Sequence, residues 1–162
     1  MFTARAVAKD ELPVIRTLAL ATWPSAYGGI LSAEQLEYML ELIYNVTSLQ
    51  QQMENGHRFY FALQNEKPAG FASFSSCAPN RYRLHKLYVL PELQGKGAGQ
   101  FLLELAIHEA KRAGANYLEL NVNRYNKAQG FYKRNGFTVV REEDIDIGKG
   151  YFMNDYIMEL AL

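Results

Sequence analysis

The chain is poor in the residues that build covalent or metal scaffolds. Cys77 is its single cysteine, so an internal disulfide and a cysteine cage for a metal are both excluded. A lone thiol also fits a reducing compartment. The histidines, His57, His85 and His108, show no H-x-x-x-H spacing, and no metal site is expected. Neither sign of charge dominates, with 17 lysines and arginines against 17 acids. That balance argues against a basic nucleic-acid surface and against an acidic tail. Apolar runs are short. None approaches the ~18 residues of a membrane span, and "MFTARAVAKDEL" lacks the apolar core of a secretory signal. Neither a membrane nor a nucleic acid is expected as partner, and a cytoplasmic protein is. No repeat or low-complexity segment divides the chain, so residues 1–162 are expected to form one domain.

What is present is a change of hydrophobic period along the chain. "FTARAVA" (2–8) alternates like a first strand. Asp10 is placed to cap a helix "ELPVIRTLALATW", which "PSAYGGI" is expected to break. Ser32 and Gln35 form a capping-box pattern before "LEYMLELIYN", and a short helix "SLQQQMEN" ends at Gly56. "HRFYFALQ", the turn "NEKP" and "AGFASFSSC" then read as a hairpin, and "RYRLHKLYVL" (81–90) as a further strand. "QFLLELAIHEAKRAG" carries helical periodicity to Gly114. "NYLELNVN" (116–123) is a strand, "NKAQGFYKRN" (126–135) a helix, and "FTVVREEDIDI" and "YFMNDYIMEL" a closing hairpin around "GKG". The resulting order, β-α-α-α-β-β-β-α-β-α-β-β, is that of an α/β sheet protein.

Between strand 81–90 and the helix that follows lies "QGKGAG" (94–99), where three glycines alternate. A glycine-rich turn opening a helix gathers free backbone N–H groups at the positive end of the helix dipole, which favours an anion. Glycines also remove the Cβ atoms that would hold a phosphate away. Lys96 adds a point charge. A P-loop fails because Lys96 is followed by Gly97 rather than Ser or Thr. A dinucleotide fingerprint fails because the pattern is G-x-G-x-G, and Glu119 falls in mid-strand. A pyrophosphate loop of the form Gln/Arg-x-x-Gly-x-Gly/Ala is met by Gln94, Gly97 and Gly99.

With this loop the sequence resembles the GNAT superfamily of N-acetyltransferases. The likeness covers "LHKLYVLPELQGKGAGQFLLELAIHEA" (84–110) and a second signature at Asn126, Ala128, Phe131, Tyr132, Gly136 and Phe137. "YFMNDYIMEL" and the "TW…Y…LS.EQ…YML" opening look more particularly like bacterial polyamine acetyltransferases. The resemblance implies a mixed, mostly antiparallel sheet of about six or seven strands with helices on both faces, splayed between the strands at 81–90 and 116–123. It implies acetyl-CoA as co-substrate and no metal. Residues Leu87, Tyr88 and Val89 would line the pantetheine arm. Gln94, Gly95, Lys96, Gly97, Ala98, Gly99 and Gln100 would hold the pyrophosphate. Asn126 would cap its helix, touch the cofactor, or both. Tyr132 falls at the family's general-acid position, where a phenol can protonate the departing thiolate.

The general base is open. Many family members carry a glutamate on the strand before the loop, but counting back by twos from Val89 gives Leu87, His85 and Arg83. His85 is a candidate base, since an ordinary imidazole titrates near neutrality; a water relay to Glu119, His85 or Asp155 is another. Asn121 stands at the family's other carboxylate position. "REEDID" (141–146) is either a solvated strand or an acidic lip for a cationic amine, and Lys127, Lys133 and Arg134 are candidates for the cofactor's phosphates. The expected reaction is acetyl transfer to a primary amine of a small molecule such as a polyamine, by direct attack in a ternary complex. A protein or peptide N-acetyltransferase and a non-catalytic acyl-CoA sensor are the alternatives. The aromatic C-terminal strand offers an edge for a homodimer.

Overall fold

A computed structural model describes residues 1–162. In chain order it contains β1 (Phe2–Ala6), α1 (Leu12–Tyr27), α2 (Ala33–Tyr44), α3 (Val46–Glu54), β2 (Arg58–Gln64), β3 (Lys67–Ala78) and β4 (Arg81–Val89). There follow α4 (Ala98–Arg112), β5 (Tyr117–Asn123), α5 (Ala128–Arg134), β6 (Thr138–Gly148) and β7 (Tyr151–Ala161). The strands form one seven-stranded sheet in the order β1-β2-β3-β4-β5-β7-β6. Every neighbouring pair is antiparallel except β4 and β5. That one parallel pair requires a crossover, which α4 supplies.

Alternation within the strands divides the apolar side chains between two layers. Phe59, Phe61 and Phe71 meet Ile15, Trp23, Met39 and Leu49 of α1–α3 on one face. Ala72, Phe74, Leu84, Leu118 and Leu120 meet Leu102, Leu103 and Ala106 of α4 and Tyr132 of α5 on the other. The turns of the β2–β3 and β6–β7 hairpins are two residues long, Asn65–Glu66 and Lys149–Gly150, each with positive φ at both positions, as a right-handed strand twist favours.

Several local expectations give way to tertiary context. Asp10 lies in a 3-10 turn, and α1 begins after Glu11 with no side-chain cap. The helix is not broken at "PSAY": it runs through Pro24 to Tyr27. Pro24 is on the exposed side, as is Leu20, whose carbonyl loses its helical partner there, so water can take that bond. Helix α3 starts two residues early because Asn45 Oδ1 accepts from the Ser48 amide at 2.8 Å. Ser32 caps α2 as expected, at 3.1 Å to the Gln35 amide. The Gln35 side chain, however, donates to the Phe152 carbonyl instead of closing the box, tying α2 to β7. Strand β7 is no free edge, since it lies between β5 and β6. The open edges are β1 and β6.

Candidate active site

Strands β4 and β5 pair only from Arg81↔Tyr117 to Leu84↔Leu120. Beyond Leu84 they part, while β4 remains zipped to β3 as far as Val89. The edge of residues 85–89 that faces β5 is therefore open, and a peptide-like arm can pair with it. Gly70 makes this arrangement possible from behind. A Cβ there would lie 2.4 Å from the Tyr88 carbonyl oxygen, so only glycine lets β3 approach the splayed end. Gly70 carries no local signal in the sequence, because the backbone it must clear belongs to another strand.

The splay opens a cleft of about 990 Å³. Leu87, Tyr88, Val89, Gln94, Gly95, Gly97, Gly99, Gln100, Asn126 and Tyr132 all line it. Ala98 is buried beneath the loop and Lys96 is exposed beside it; neither lines the cleft. Gly95 and Gly97 have φ of 77° and 95°, left-handed values that remove the usual side-chain penalty only for glycine. The amides of Gly95, Lys96 and Gly97 take no part in the loop's backbone hydrogen bonds. The first N–H groups of α4 have by geometry no partner inside the helix. Lys127 and Arg134 add positive charge to the same walls, and Lys133 does not. The cap position of α5 is Lys127, without a side-chain bond; Asn126, one residue earlier, accepts from the Ala128 amide through Oδ1 at 2.9 Å and also faces the cleft. Tyr132 is almost completely buried. Burial pushes its phenol well above the ordinary range, and nearby Tyr27 adds to the shift. It stays protonated and able to donate.

A second cavity of about 250 Å³ lies against the first, walled by Trp23, Tyr44, Met39, Ile147, Met153 and Asp155 among others. Tyr27, His85, Lys86, Tyr88 and Asn121 line both spaces, so the cavities meet at these five residues. The spacing of Trp23 and Tyr27, one turn apart on α1, was the only local sign of the aromatic wall.

A β-bulge sets the side chains at this junction. Leu84 pairs with Phe74 and Lys86 with Ser73, leaving His85 as the extra residue. Counting by twos through β4 therefore fails: Leu87 and Val89 share the face of Leu84, while the His85 ring reaches Ser75 on the opposite face. His85 Nε2 and Ser75 Oγ share a hydrogen bond of 2.7 Å, and the His85 ring stacks on His57 at 3.8 Å. Burial, then the neighbouring His57, Lys86 and Arg83, push the His85 pKa down to about 3. Glu119 is committed elsewhere: Arg83 donates to it at 2.8 Å, Arg81 and the Cys77 thiol also bind it. Burial alone would raise its pKa, but these partners together hold it below the ordinary value. The acids expected as a lip are partly neutralised, Glu142 and Asp144 both by Arg124 and Glu143 by Arg141.

A split sheet that exposes a strand edge, with a bare-amide turn at one end and a protonated phenol in the cleft, defines an acyltransferase of the coenzyme A class. Residues 30–159 match the family model described as an acetyltransferase (GNAT) domain, and the chain belongs to the GNAT family. It is 29% identical over 161 residues to a spermidine N(1)-acetyltransferase of Thermoplasma acidophilum, covering 96% of this chain and 94% of that protein. A peptidyl-lysine N-acetyltransferase of Escherichia coli is 36% identical over 90 residues, 54% of each chain. Among solved structures, the PaiA N-acetyltransferase of Thermoplasma acidophilum in complex with coenzyme A superposes with a TM-score of 0.83 at 28% identity, covering 100% of this chain and 99% of that one. The protein is an acetyl-CoA-dependent acetyltransferase.

Proposed function

We propose that the protein transfers the acetyl group of acetyl-CoA to the primary amine of a small molecule of the polyamine kind, by direct attack while both substrates are bound. The observation that carries this reading is the junction of the two cavities. The open β4 edge and the loop amides suit the thioester donor on one side. The smaller, mostly aromatic and aliphatic cavity suits an amine on the other, and the two meet where the reacting atoms would lie. The likeness to a spermidine acetyltransferase over nearly the whole chain supports the same acceptor class.

Each residue then has a limited task. Backbone amides at 95–99, with Lys127 and Arg134, hold phosphate charge. The edge of residues 85–89 orients the pantetheine arm, which converts the encounter of two substrates into a positioned reaction. Tyr132 donates its proton to the sulfur as the carbon–sulfur bond breaks. Cys77 lines neither cavity, and burial and Glu119 raise its thiol pKa, which gives no support to an acetylated-cysteine route.

The test is release of free thiol from acetyl-CoA across polyamines, aminoglycosides, amino acids and peptides. Aliphatic polyamines are expected to give the highest kcat/KM, with one acetylated amine per thiol. Faster turnover of lysine-bearing peptides would overturn the small-molecule reading in favour of the peptide chemistry of the Escherichia coli relative.

A further inference from the structure

One carboxylate in the smaller cavity is only half satisfied. Asp155 is 4% exposed and lines that cavity. Its Oδ2 accepts from Asn121 Nδ2 at 3.3 Å, but its Oδ1 is buried with no hydrogen-bond partner. Leaving a buried anionic oxygen unpaired is costly. No cation of the fold bonds to it, although Arg124 favours its charge from a distance. Arg124 is drawn to Glu142 and Asp144, Arg83 to Glu119 and Asn121, and Lys86 to Gln52. No side chain of the fold donates to that oxygen.

Resting on the acetyl transfer proposed above, we infer that Asp155 receives the attacking ammonium of the acceptor and takes its proton, with Asn121 as the positioning residue that holds the carboxylate. The walls around it suit an alkylammonium: Trp23, Tyr27, Tyr44 and Tyr88 present aromatic surface. Lys86 is the one lysine or arginine in that lining, and burial lowers its pKa to about 7, so it repels a cation less than an ordinary lysine would. Oδ1 is closed off from water, and a turn about the broad χ2 torsion of aspartate presents either oxygen to the cavity. His85 is a poorer proton acceptor, its ring clamped between Ser75 and His57, and Glu119 is saturated by arginines.

The step balances. One ammonium proton moves to Asp155, and the freed lone pair forms the nitrogen–carbon bond as the carbon–sulfur bond breaks. The sulfur leaves with that electron pair and takes the Tyr132 proton. The nitrogen's second proton restores the phenol by way of water, Asp155 returns its own to solvent, and one proton is released per acetyl group transferred. Burial raises the Asp155 pKa above the ordinary aspartate value and Glu143 adds to this, while Asn121 and Arg124 oppose it. Tyr27 on α1, Tyr44 on α2, Asn123 on β5, and His85, Lys86 and Tyr88 on β4 complete the polar lining of its cavity.

The test compares wild type and Asp155→Asn with two acceptors, a primary alkylamine and O-methylhydroxylamine, which is largely unprotonated at neutral pH. For the alkylamine kcat/KM is expected to fall about 100-fold, the lower range for a general base. The fall should be several-fold or less for O-methylhydroxylamine, with the acetyl-CoA dissociation constant unchanged. Equal losses with both acceptors, or none with either, would overturn the proton-acceptor role. A wild-type protein that binds acetyl-CoA but acetylates no amine would instead sink the underlying reading. Should the aspartate variant not fold, Asn121→Ala keeps the carboxylate and removes the hydrogen bond that lowers its pKa. The acid limb of the wild-type pH profile is then expected to move to higher pH, and a limb that stays put would refute the assignment.

Discussion

The hydroxyls of Tyr27 and Tyr88 lie 3.0 Å apart and share a hydrogen bond, joining the last turn of α1 to the splayed half of β4. Both rings line both cavities, so this one contact braces the wall between the two spaces. A partly buried hydrogen bond of this kind contributes about 1 kcal/mol. Tyr27→Phe and Tyr88→Phe are each expected to lower the urea midpoint, and the double variant to lose about 1 kcal/mol less than their sum. Strict additivity in that cycle would show that the two hydroxyls do not interact.

Tyr132→Phe keeps the ring in its packing against Phe131 and Phe137 and deletes the proton donor. Turnover is expected to fall roughly 100-fold with acetyl-CoA affinity within a factor of about two. Equilibrium binding and steady-state kinetics on the same preparation separate the two. Undiminished turnover would remove Tyr132 from the chemistry.

Gly97→Ala forces a side chain into φ 95° at the start of α4, at a cost of about 1 kcal/mol. Gly114→Ala imposes a similar strain at φ 80°, beyond the far end of the same helix. Both variants should lose comparable thermal stability, and only Gly97→Ala should weaken acetyl-CoA binding. Equal effects on affinity would mean that the loop amides do not hold the phosphates.

Lys86 gives stability a pH dependence. Burial lowers its folded-state pKa to about 7, below the unfolded value, so the unfolded chain binds more protons above that pH. This contribution to stability therefore grows as pH rises from 7 toward the ordinary lysine range and is lost as pH falls through about 7. The aromatic rings of Tyr44 and Phe59, 5.5 and 5.6 Å from Nζ, soften the penalty without reversing it. In urea denaturation between pH 7 and about pH 9, wild type should gain stability and Lys86→Met should show a flatter slope. Parallel slopes would place the lysine charge in water.

The alternation of "HRFYFALQ", the helical stripe of "QFLLELAIHEA" and the alternating glycines of "QGKGAG" are local signals, and the matching strands, helix and bare-amide turn stand where those signals put them. Other local signals were overruled. Pro24 reads as a helix breaker, yet its ring points to solvent, where the lost hydrogen bond costs little. His85 reads as a partner of Leu87, yet the bulge between Leu84 and Lys86 carries it to the other face. Nothing in "LHKL" marks a bulge, because the extra residue exists only in relation to β3.

The amino-acid sequence by itself determined the order of elements and the glycine-rich turn before α4, since each follows from spacing within a few residues, and Tyr132 stood out through the resemblance to a family. The junction of the two cavities was decided by tertiary structure alone. Tyr27 meets Tyr88, and Asn121 meets Asp155, only after α1 packs on the sheet and β7 aligns beside β5. Those long-range pairings depend on where whole elements bury their apolar faces, a choice made by the core as a unit rather than by any one segment.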